Sequence, residues 1–375
     1  MGIKDQTLPA DLPRTNVTSA RNLLFILLIA RICNIMIFMP ALTLGNAFED
    51  SWAASLLSLA WSIPLSLLVV WASTAVPNGL LVAANQKWGK WALLFFGPYI
   101  LVLAVIPAYF SVELGTLFGT VTLTETPVGV LVAVSLLVGI YAAYKGVDTI
   151  GRAGQVVITL LALLSVVMLL GIGYEADTAR LQPVLSRGLL PVVTSSITPA
   201  AWTVVTIGVI PVLAGEVTRG KKGLSGAAIW ANVASIGLLT VMVAAAISVF
   251  SAVEAKAMHS PAYMLAKMTS IPETFERFEV IILTAWIGAI TLTCGTYLYA
   301  AAQAISEALH LTTHRTCLVP LAAFAAAVGL TLFTSTAGVT HYLPFVMPPA
   351  ALIVVIFPVA AALVLRRQIA GEQNG

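Results

Sequence analysis

The stretch RNLLFILLIARICNIMIFMPALTLG, residues 21–45, decides the fold of this chain. A transmembrane helix needs about 20 apolar residues at a rise of about 1.5 Å each, so this run is long enough to cross a bilayer. Within its apolar interior lie the polar side chains of Arg31 and Asn34, followed by Pro40. A charge at membrane depth is costly and usually faces an internal cavity or a partner, while proline interrupts a helix. We therefore predict that this first helix is broken and forms one wall of a binding site.

The composition of the whole chain is that of an integral membrane protein. Of its 375 residues, 59% are hydrophobic and 9% are charged, and the mean hydropathy is +0.98. A soluble domain carries about 25% charged residues, so this chain lacks the polar side chains needed to cover a globular surface. The apolar runs are continuous rather than alternating, which indicates helices. We predict an all-α polytopic membrane protein embedded in the lipid bilayer. About ten transmembrane helices are expected, at 21–45, 52–74, 91–119, 128–144, 154–173, 199–216, 225–250, 278–304, 316–333 and 343–365.

The distribution of lysine and arginine predicts the orientation. With the amino terminus placed in the cytoplasm, thirteen of the 19 basic residues lie in inner segments, and Arg31 lies within the membrane. The other five lie in two long outer loops, at Arg180, Arg187, Lys256, Lys267 and Arg277. Because cytoplasmic loops carry an excess of lysine and arginine, we predict that both termini are cytoplasmic.

A short internal similarity divides the chain into two halves. The first span ends in MPALTLG at 39–45 and the sixth in IPVLAG at 210–215. With five spans per half, these two helices cross the membrane in opposite directions, as in an inverted repeat whose paired broken helices form a site at the midplane. The predicted segments are a cytoplasmic segment at 1–20, a first five-helix repeat at 21–173, an outer loop with a half-helix over the outer mouth at 174–198, a second repeat at 199–365 and a cytoplasmic tail at 366–375.

The two interrupted helices predict where a small ligand binds. We expect the first helix to unwind at Asn34-Ile35-Met36 and the sixth at Thr206-Ile207-Gly208. Backbone amides freed there can hold a carboxylate, and freed carbonyls can hold an ammonium group. Gly208 either permits unusual backbone angles or lets neighbouring helices pack closely. Asn34, Ile35, Thr206 and Gly208 are therefore assigned to the substrate-binding site.

Four more side chains are assigned to this site: Tyr109, Trp202, Thr203 and Tyr297. Trp202 and Thr203 open the sixth helix, where Trp202 either caps the site or belongs to the aromatic belt at the membrane interface. Tyr109 follows Pro107 by two residues in the third span, where its ring either lines the cavity or packs in the core. Tyr297 in the eighth span has the same two interpretations.

Arg31 and Glu113 are assigned to coupling or gating. Arg31 has two interpretations. In the first, it pairs with a neighbouring carbonyl or acid and locks the structure. In the second, its charge replaces a coupling cation or meets a carboxylate of the substrate. Glu113, near the outer end of the third span, is the most plausible acidic partner or proton carrier, and its alternative is a solvated helix end. Their different depths along the helices argue against direct pairing.

Motifs for other classes of function are absent from the sequence. It contains no Walker loop, no His-Glu-x-x-His and no Gly-x-Ser-x-Gly. Cys33, Cys294 and Cys317 have no paired spacing and are interpreted as small core residues. We therefore predict that the protein is not an enzyme, that it has no catalytic residues, cofactor or metal, and that it has no nucleic-acid partner.

Several short segments resemble the endospore germination permeases, the B subunits of spore germinant receptors. In order along residues 18–310 they are Phe48-Glu49-Asp50-Ser51-Trp52, Thr126-Pro127, Tyr144 to Arg152, Leu181-Gln182-Pro183-Val184-Leu185, and Phe275-Glu276-Arg277-Phe278-Glu279 with Trp286. The chain departs from the family pattern in the first helix, where Arg31 to Asn34 replace small residues, and in the sixth-helix break, which is not rich in glycine.

The resemblance implies both a fold and a function. The family belongs to the amino acid–polyamine–organocation transporter superfamily, which implies a LeuT-like five-plus-five inverted repeat with a site between the first, third, sixth and eighth helices. It implies a receptor subunit in the spore inner membrane, or in a bacterial cell membrane, that binds a small germinant, commonly an amino acid. The implied partners are an A-type membrane subunit and a C-type lipoprotein. The alternative is an autonomous, sodium-independent, proton-coupled amino acid transporter.

Overall fold

In the part of the chain that the structure describes, the helices form a bundle of ten membrane spans. The computed structural model describes residues 18–36, 39–77, 79–121, 125–218, 220–269, 278–333 and 336–373. Within these ranges, nine helical segments are long and apolar enough to cross a membrane. Two shorter helices share the first span, Ala20–Ile35 (α1) and Met39–Leu44 (α2). The prediction of an all-α protein with about ten spans is confirmed.

The remaining helices follow in chain order. They are α3 Ser51–Ser73, α4 Leu80–Trp88, α5 Lys90–Val121, α6 Val128–Lys145, α7 Val147–Gly171, α8 Leu189–Ile207, α9 Ile210–Leu213, α10 Gly220–Phe250, α11 Ala252–Ala257, α12 Pro261–Met268, α13 Phe278–Ala308, α14 Arg315–Leu332 and α15 Thr336–Gln373. Three short helices, α4, α11 and α12, lie in loops and do not follow from hydropathy. Residues 1–17 and the quoted segment 275–277 lie outside the described residues, and the orientation of the termini stays a prediction.

The first helix ends close to the predicted position, but Asn34 and Ile35, which were expected to unwind, are its last helical residues. Ser19 begins α1, and its hydroxyl accepts a hydrogen bond from the Asn22 amide at 3.0 Å. The helix ends at Ile35, after 16 residues. Pro40 is the second residue of α2, a position where its missing amide proton costs nothing because that amide has no intrahelical acceptor. Neither α1 nor α2 alone has the roughly 20 residues that a membrane-spanning helix needs, so the two together make up the first span.

The sixth span consists of α8 and α9, and the predicted half-helix before it is wrong. Residues 189–198 are the first turns of α8, which continues without a break to Ile207. Pro191 lies in the first turn of that helix, where proline is tolerated. Hydroxyl groups in the segment bond to carbonyls within the helix, for example Thr194 to Leu190 at 3.1 Å and Ser196 to Val193 at 2.7 Å. The polar residues that suggested a break are therefore satisfied inside the helix.

Burial separates central spans from peripheral ones. The most apolar window of the sixth span is 94% buried, and those of α13 and α5 are 67% and 56% buried. In α6, α7, α14 and α15 the corresponding share is 28–39%. Twelve of the 16 residues of α1 are also buried. The first, third, sixth and eighth spans thus lie at the centre of the bundle, where the resemblance places the site.

Candidate functional site

The two broken helices are joined by Arg31. Its side chain is 1% exposed, and it reaches from α1 to α8. The Nε atom donates to the Thr206 hydroxyl at 2.7 Å, and Nη2 donates to the Thr203 carbonyl at 3.0 Å. Thr206 in turn donates its own proton to the Thr203 carbonyl at 2.7 Å. Among the described residues, no carboxylate forms an ion pair with Arg31.

Aromatic side chains cover Asn34, which lies one turn beyond Arg31 on α1. The Tyr109 hydroxyl donates to the Asn34 side-chain oxygen at 3.4 Å. The Tyr109 and Trp202 rings meet edge to face with their centroids 6.1 Å apart, and both contact Phe110. Trp202 is 3% exposed. This burial excludes the membrane-belt interpretation of Trp202 and supports its interpretation as a cap.

Three hydrogen-bond donors in this region have no acceptor in the part of the chain that the structure describes. They are Arg31 Nη1, Asn34 Nδ2 and Trp202 Nε1, all of them buried. Leaving a buried donor without a partner costs about 1–3 kcal/mol, and more for a charged group. Three such donors in one contact network, one of them cationic, make a site that favours a ligand with several acceptor atoms.

An apolar cavity of about 550 Å³ adjoins the aromatic side chains. Tyr109 and Trp202 belong to its lining, and the rest is apolar side chains, such as Val105 of α5, Phe333 after α14 and Ala350 of α15. An apolar volume therefore lies next to Tyr109 and Trp202, two of the residues predicted to bind the ligand. Both chemistries that an amphipathic small molecule requires are present within one region of the bundle.

Gly208 has a role different from the first one predicted. It follows the end of α8 with φ −55° and ψ −15°, an ordinary right-handed conformation, so the expectation of unusual backbone angles is wrong. A Cβ atom at this position would lie 2.9 Å from the Val205 carbonyl oxygen and 3.2 Å from a Val354 methyl group of α15. Glycine is required here for close packing, the alternative interpretation.

Tyr99 holds the backbone at the sixth-span break. Its buried hydroxyl donates to the Gly208 carbonyl, so that carbonyl already has a hydrogen-bond donor. Gly208 is not one of the three residues with an unpartnered donor. Tyr99 and Tyr109 lie on the same helix, about 15 Å apart along its axis. Sequence reasoning missed Tyr99. The available signal was a tyrosine directly after Pro98, which parallels Tyr109 two residues after Pro107.

Glu113 lies apart from Arg31, as its depth along the helix predicts. Its side chain is 2% exposed, and its Oε1 atom is 3.4 Å from His259 Nε2, in the loop between α11 and α12. The interpretation as a solvated helix end is therefore wrong. Nothing in the local sequence signals this pair, because the two residues are separated by almost half of the chain.

The other predicted site residues have less specific surroundings. Tyr297 is 1% exposed on α13 and lies within electrostatic range of Arg31. Ile35 is buried as the last residue of α1. Two residues after Tyr297 on α13, the Tyr299 hydroxyl donates to the Glu216 carboxylate, whose two oxygens are 3.0 and 3.1 Å away. The centroids of the Tyr299 and His314 rings are 4.7 Å apart. Burial lowers the pKa of half-buried His314.

Known structures define the class of protein to which this architecture belongs. The chain is similar to MhsT in complex with L-phenylalanine, with 16% identity, a TM-score of 0.66 and coverage of 92% of this chain and 90% of that one. It is also similar to a manganese transporter of Eremococcus coleocola, with 13% identity, a TM-score of 0.58 and coverage of 91% and 78%. This protein is a membrane protein with the LeuT-type transporter fold.

Its sequence specifies the family within that class. Residues 18–336 match the model of the spore germination protein family, and the chain belongs to that family. It is 26% identical over 297 residues to spore germination protein KB of Bacillus subtilis, covering 75% of this chain and 76% of that protein. It is 24% identical over 301 residues to the putative spore germination protein YfkT of the same organism, covering 79% and 82%. The chain is thus an integral membrane protein of the spore inner membrane or cell membrane, in a permease-like family rather than an enzyme class.

Proposed function

We propose that this protein is the membrane subunit of a spore germinant receptor and that it binds an amino acid between broken helices α1 and α8. The observation that carries the proposal is the buried guanidinium of Arg31. It has no ion-pair partner among the described residues, and its free Nη1 lies in one network with the free donors of Asn34 and Trp202. A carboxylate supplies both the missing charge and the missing acceptors.

The same break offers a place for the ammonium group. The helix α1 ends at Ile35, and the last carbonyls of a helix lack intrahelical donors and carry the negative end of its dipole. An amino acid therefore sits with its carboxylate toward Arg31 and its ammonium toward the end of α1. Thr203 and Thr206 hold the guanidinium in position, and Tyr297 completes the wall from α13.

The adjoining cavity supports a ligand with an apolar side chain. Its volume of about 550 Å³ and its apolar lining suit a branched or aromatic side chain. Tyr109 lines this cavity and also bonds to Asn34, so it can contact both the side chain and the polar end of such a ligand. Glu113 and His259 lie nearer the outer end and act on access to the site rather than on the ligand.

Thermal unfolding of the purified full-length protein tests the amino-acid site. A ligand that binds only the folded state raises stability by an amount that grows with the logarithm of the ratio of its concentration to its Kd. We expect a selective shift from one or a few of the twenty amino acids, and we expect Asn34→Leu to abolish it by removing the Nδ2 donor. Asn232→Leu is the matched control, because Asn232 is an equally buried asparagine on α10 that donates to Ser66. No shift from any amino acid, or equal loss in both variants, overturns the assignment.

An autonomous amino acid transporter is the second candidate, supported by the likeness of 92% of the chain to a structure that contains L-phenylalanine. Arg31 places a positive charge where a coupling sodium ion would be repelled, so such transport would be independent of sodium. Uptake of a labelled ligand into proteoliposomes distinguishes the two candidates. Uptake driven by a proton gradient without sodium supports a transporter, and binding without uptake supports a receptor subunit.

The proposed partners are an A-type membrane subunit and a C-type lipoprotein. This part of the proposal rests on membership of the spore germination family. Co-purification of tagged protein from spore membranes tests it. Recovery of both partners supports a receptor complex, and recovery of the chain alone under conditions that retain ligand binding contradicts it.

A further inference from the structure

A groove of about 480 Å³ lies between the beginning of α1 and the beginning of α10. Arg21 and Lys222 lie on opposite walls, one on each helix, and Trp230 lies further along α10. Gly223 and Gly226 form the α10 wall of the groove between Lys222 and Trp230. At Gly226, an added Cβ atom would meet nothing within 4 Å, so this position borders open space.

The charge of this groove is uncompensated. Both Arg21 and Lys222 are exposed, and neither forms an ion pair with a described residue. Among the residues that the structure describes, no acidic side chain lines the groove. Two cations that face one cavity from separate helices favour an anion that can contact both.

The other side of the groove is suited to lipid. Leu24 and Ala227 continue its lining with apolar surface, and the Trp230 ring is 65% exposed. Exposed tryptophan is typical of the boundary between headgroups and acyl chains. Basic pockets between transmembrane helices on the cytoplasmic side bind anionic headgroups, and positive charge predicts that this end is cytoplasmic.

We propose that the groove binds the phosphate of one anionic phospholipid, with the glycerol and upper acyl chains against Leu24 and Trp230. The phosphate contacts Arg21 on α1 and Lys222 on α10. A dissolved phosphate ion would use the same cations but would gain nothing from the apolar wall. This site is separate from the central site and does not depend on the identity of its ligand.

The position of the groove gives the bound lipid a structural effect. Immediately before α1, the Thr18 amide donates to the Glu216 carbonyl at 2.8 Å, and the Thr218 amide donates to the Thr18 carbonyl at 2.9 Å. These bonds tie the start of the broken first span to the segment that leads into α10. A phosphate between Arg21 and Lys222 links the same two segments, so anionic lipid stabilises the contact between the start of α1 and the segment before α10.

Thermal unfolding in nanodiscs tests the site in the full-length protein. Nanodiscs of phosphatidylcholine alone are compared with nanodiscs that contain phosphatidylglycerol, and inorganic phosphate is added to the former. We expect stabilisation by phosphatidylglycerol only, with an apparent lipid affinity about five-fold weaker in Lys222→Gln. Lys221→Gln is the matched control, since this neighbouring lysine does not line the groove. Equal effects of the two variants indicate diffuse attraction and overturn the site.

Blocking the groove gives a second test that leaves the charge unchanged. Gly226→Ile fills the groove, and we expect it to abolish the stabilisation by phosphatidylglycerol. Gly237→Ile is its control, because a Cβ atom at Gly237 on the same helix also meets nothing within 4 Å. Retained stabilisation in Gly226→Ile contradicts the proposal, and so does an equal response to inorganic phosphate.

Discussion

Replacing Arg31 by methionine separates the two roles open to this residue. Methionine has a similar length and keeps the apolar contacts of the side chain, but it removes the charge and all its donors. The substitution therefore breaks the bonds to the Thr206 hydroxyl and the Thr203 carbonyl. It also removes Nη1, the donor proposed to bind the ligand carboxylate.

The magnitudes of these effects differ between the free and the liganded protein. In the free protein, two hydrogen bonds from a charged donor are lost, each worth about 1.5–3 kcal/mol. The desolvation penalty of an unpaired buried charge, several kcal/mol, is relieved at the same time. These terms oppose each other, so we expect a change of only a few degrees in unfolding temperature. The ligand loses a charge-assisted bond with no such offset, so its affinity should fall by about 10- to 150-fold.

The assay is thermal unfolding of the purified variant across a series of ligand concentrations. Arg31→Lys is the companion variant, because it keeps the charge but loses the fork of donors, and we expect it to retain part of the affinity. A large fall in unfolding temperature with unchanged ligand affinity would refute the reasoning. That result would assign Arg31 to a structural lock between α1 and α8.

Three further predictions follow from single contacts. Tyr99→Phe leaves the buried Gly208 carbonyl without its donor and should destabilise the protein by about 1–3 kcal/mol, measured as the shift in thermal unfolding; an unchanged midpoint would contradict that bond. His314 has a lowered pKa in the folded protein, so stability should be full above about pH 6.5 and fall as the pH drops through that value. His314→Phe should flatten this dependence, and an unchanged slope would assign it to other groups. Ala350→Phe should fill the apolar cavity and shift ligand preference toward smaller side chains in the thermal assay; an unchanged preference would place the ligand side chain elsewhere.

The central site was predictable in part. The ends of α1 and α8 near Asn34 and Gly208 follow from polar residues and prolines inside apolar runs, which are local properties of the chain. The expected unwinding at these two residues does not, because Asn34 is helical and Gly208 keeps right-handed backbone angles. The same reasoning failed at residues 189–198, because proline and hydroxyl residues are also compatible with the first turns of a helix whose hydroxyls bond to its own carbonyls. Local composition alone does not distinguish these two outcomes.

By itself, the sequence determined the membrane class, the ten spans, the two breaks and the family, because hydropathy, span length and short motifs are written in consecutive residues. Only the tertiary structure decided the partners across the bundle. Arg31 reaches a hydroxyl 175 positions away, Tyr99 reaches the Gly208 carbonyl 109 positions away, and Glu113 lies beside a histidine in the loop between α11 and α12. Such contacts depend on which helix faces pack together, a property that no single segment of the chain carries.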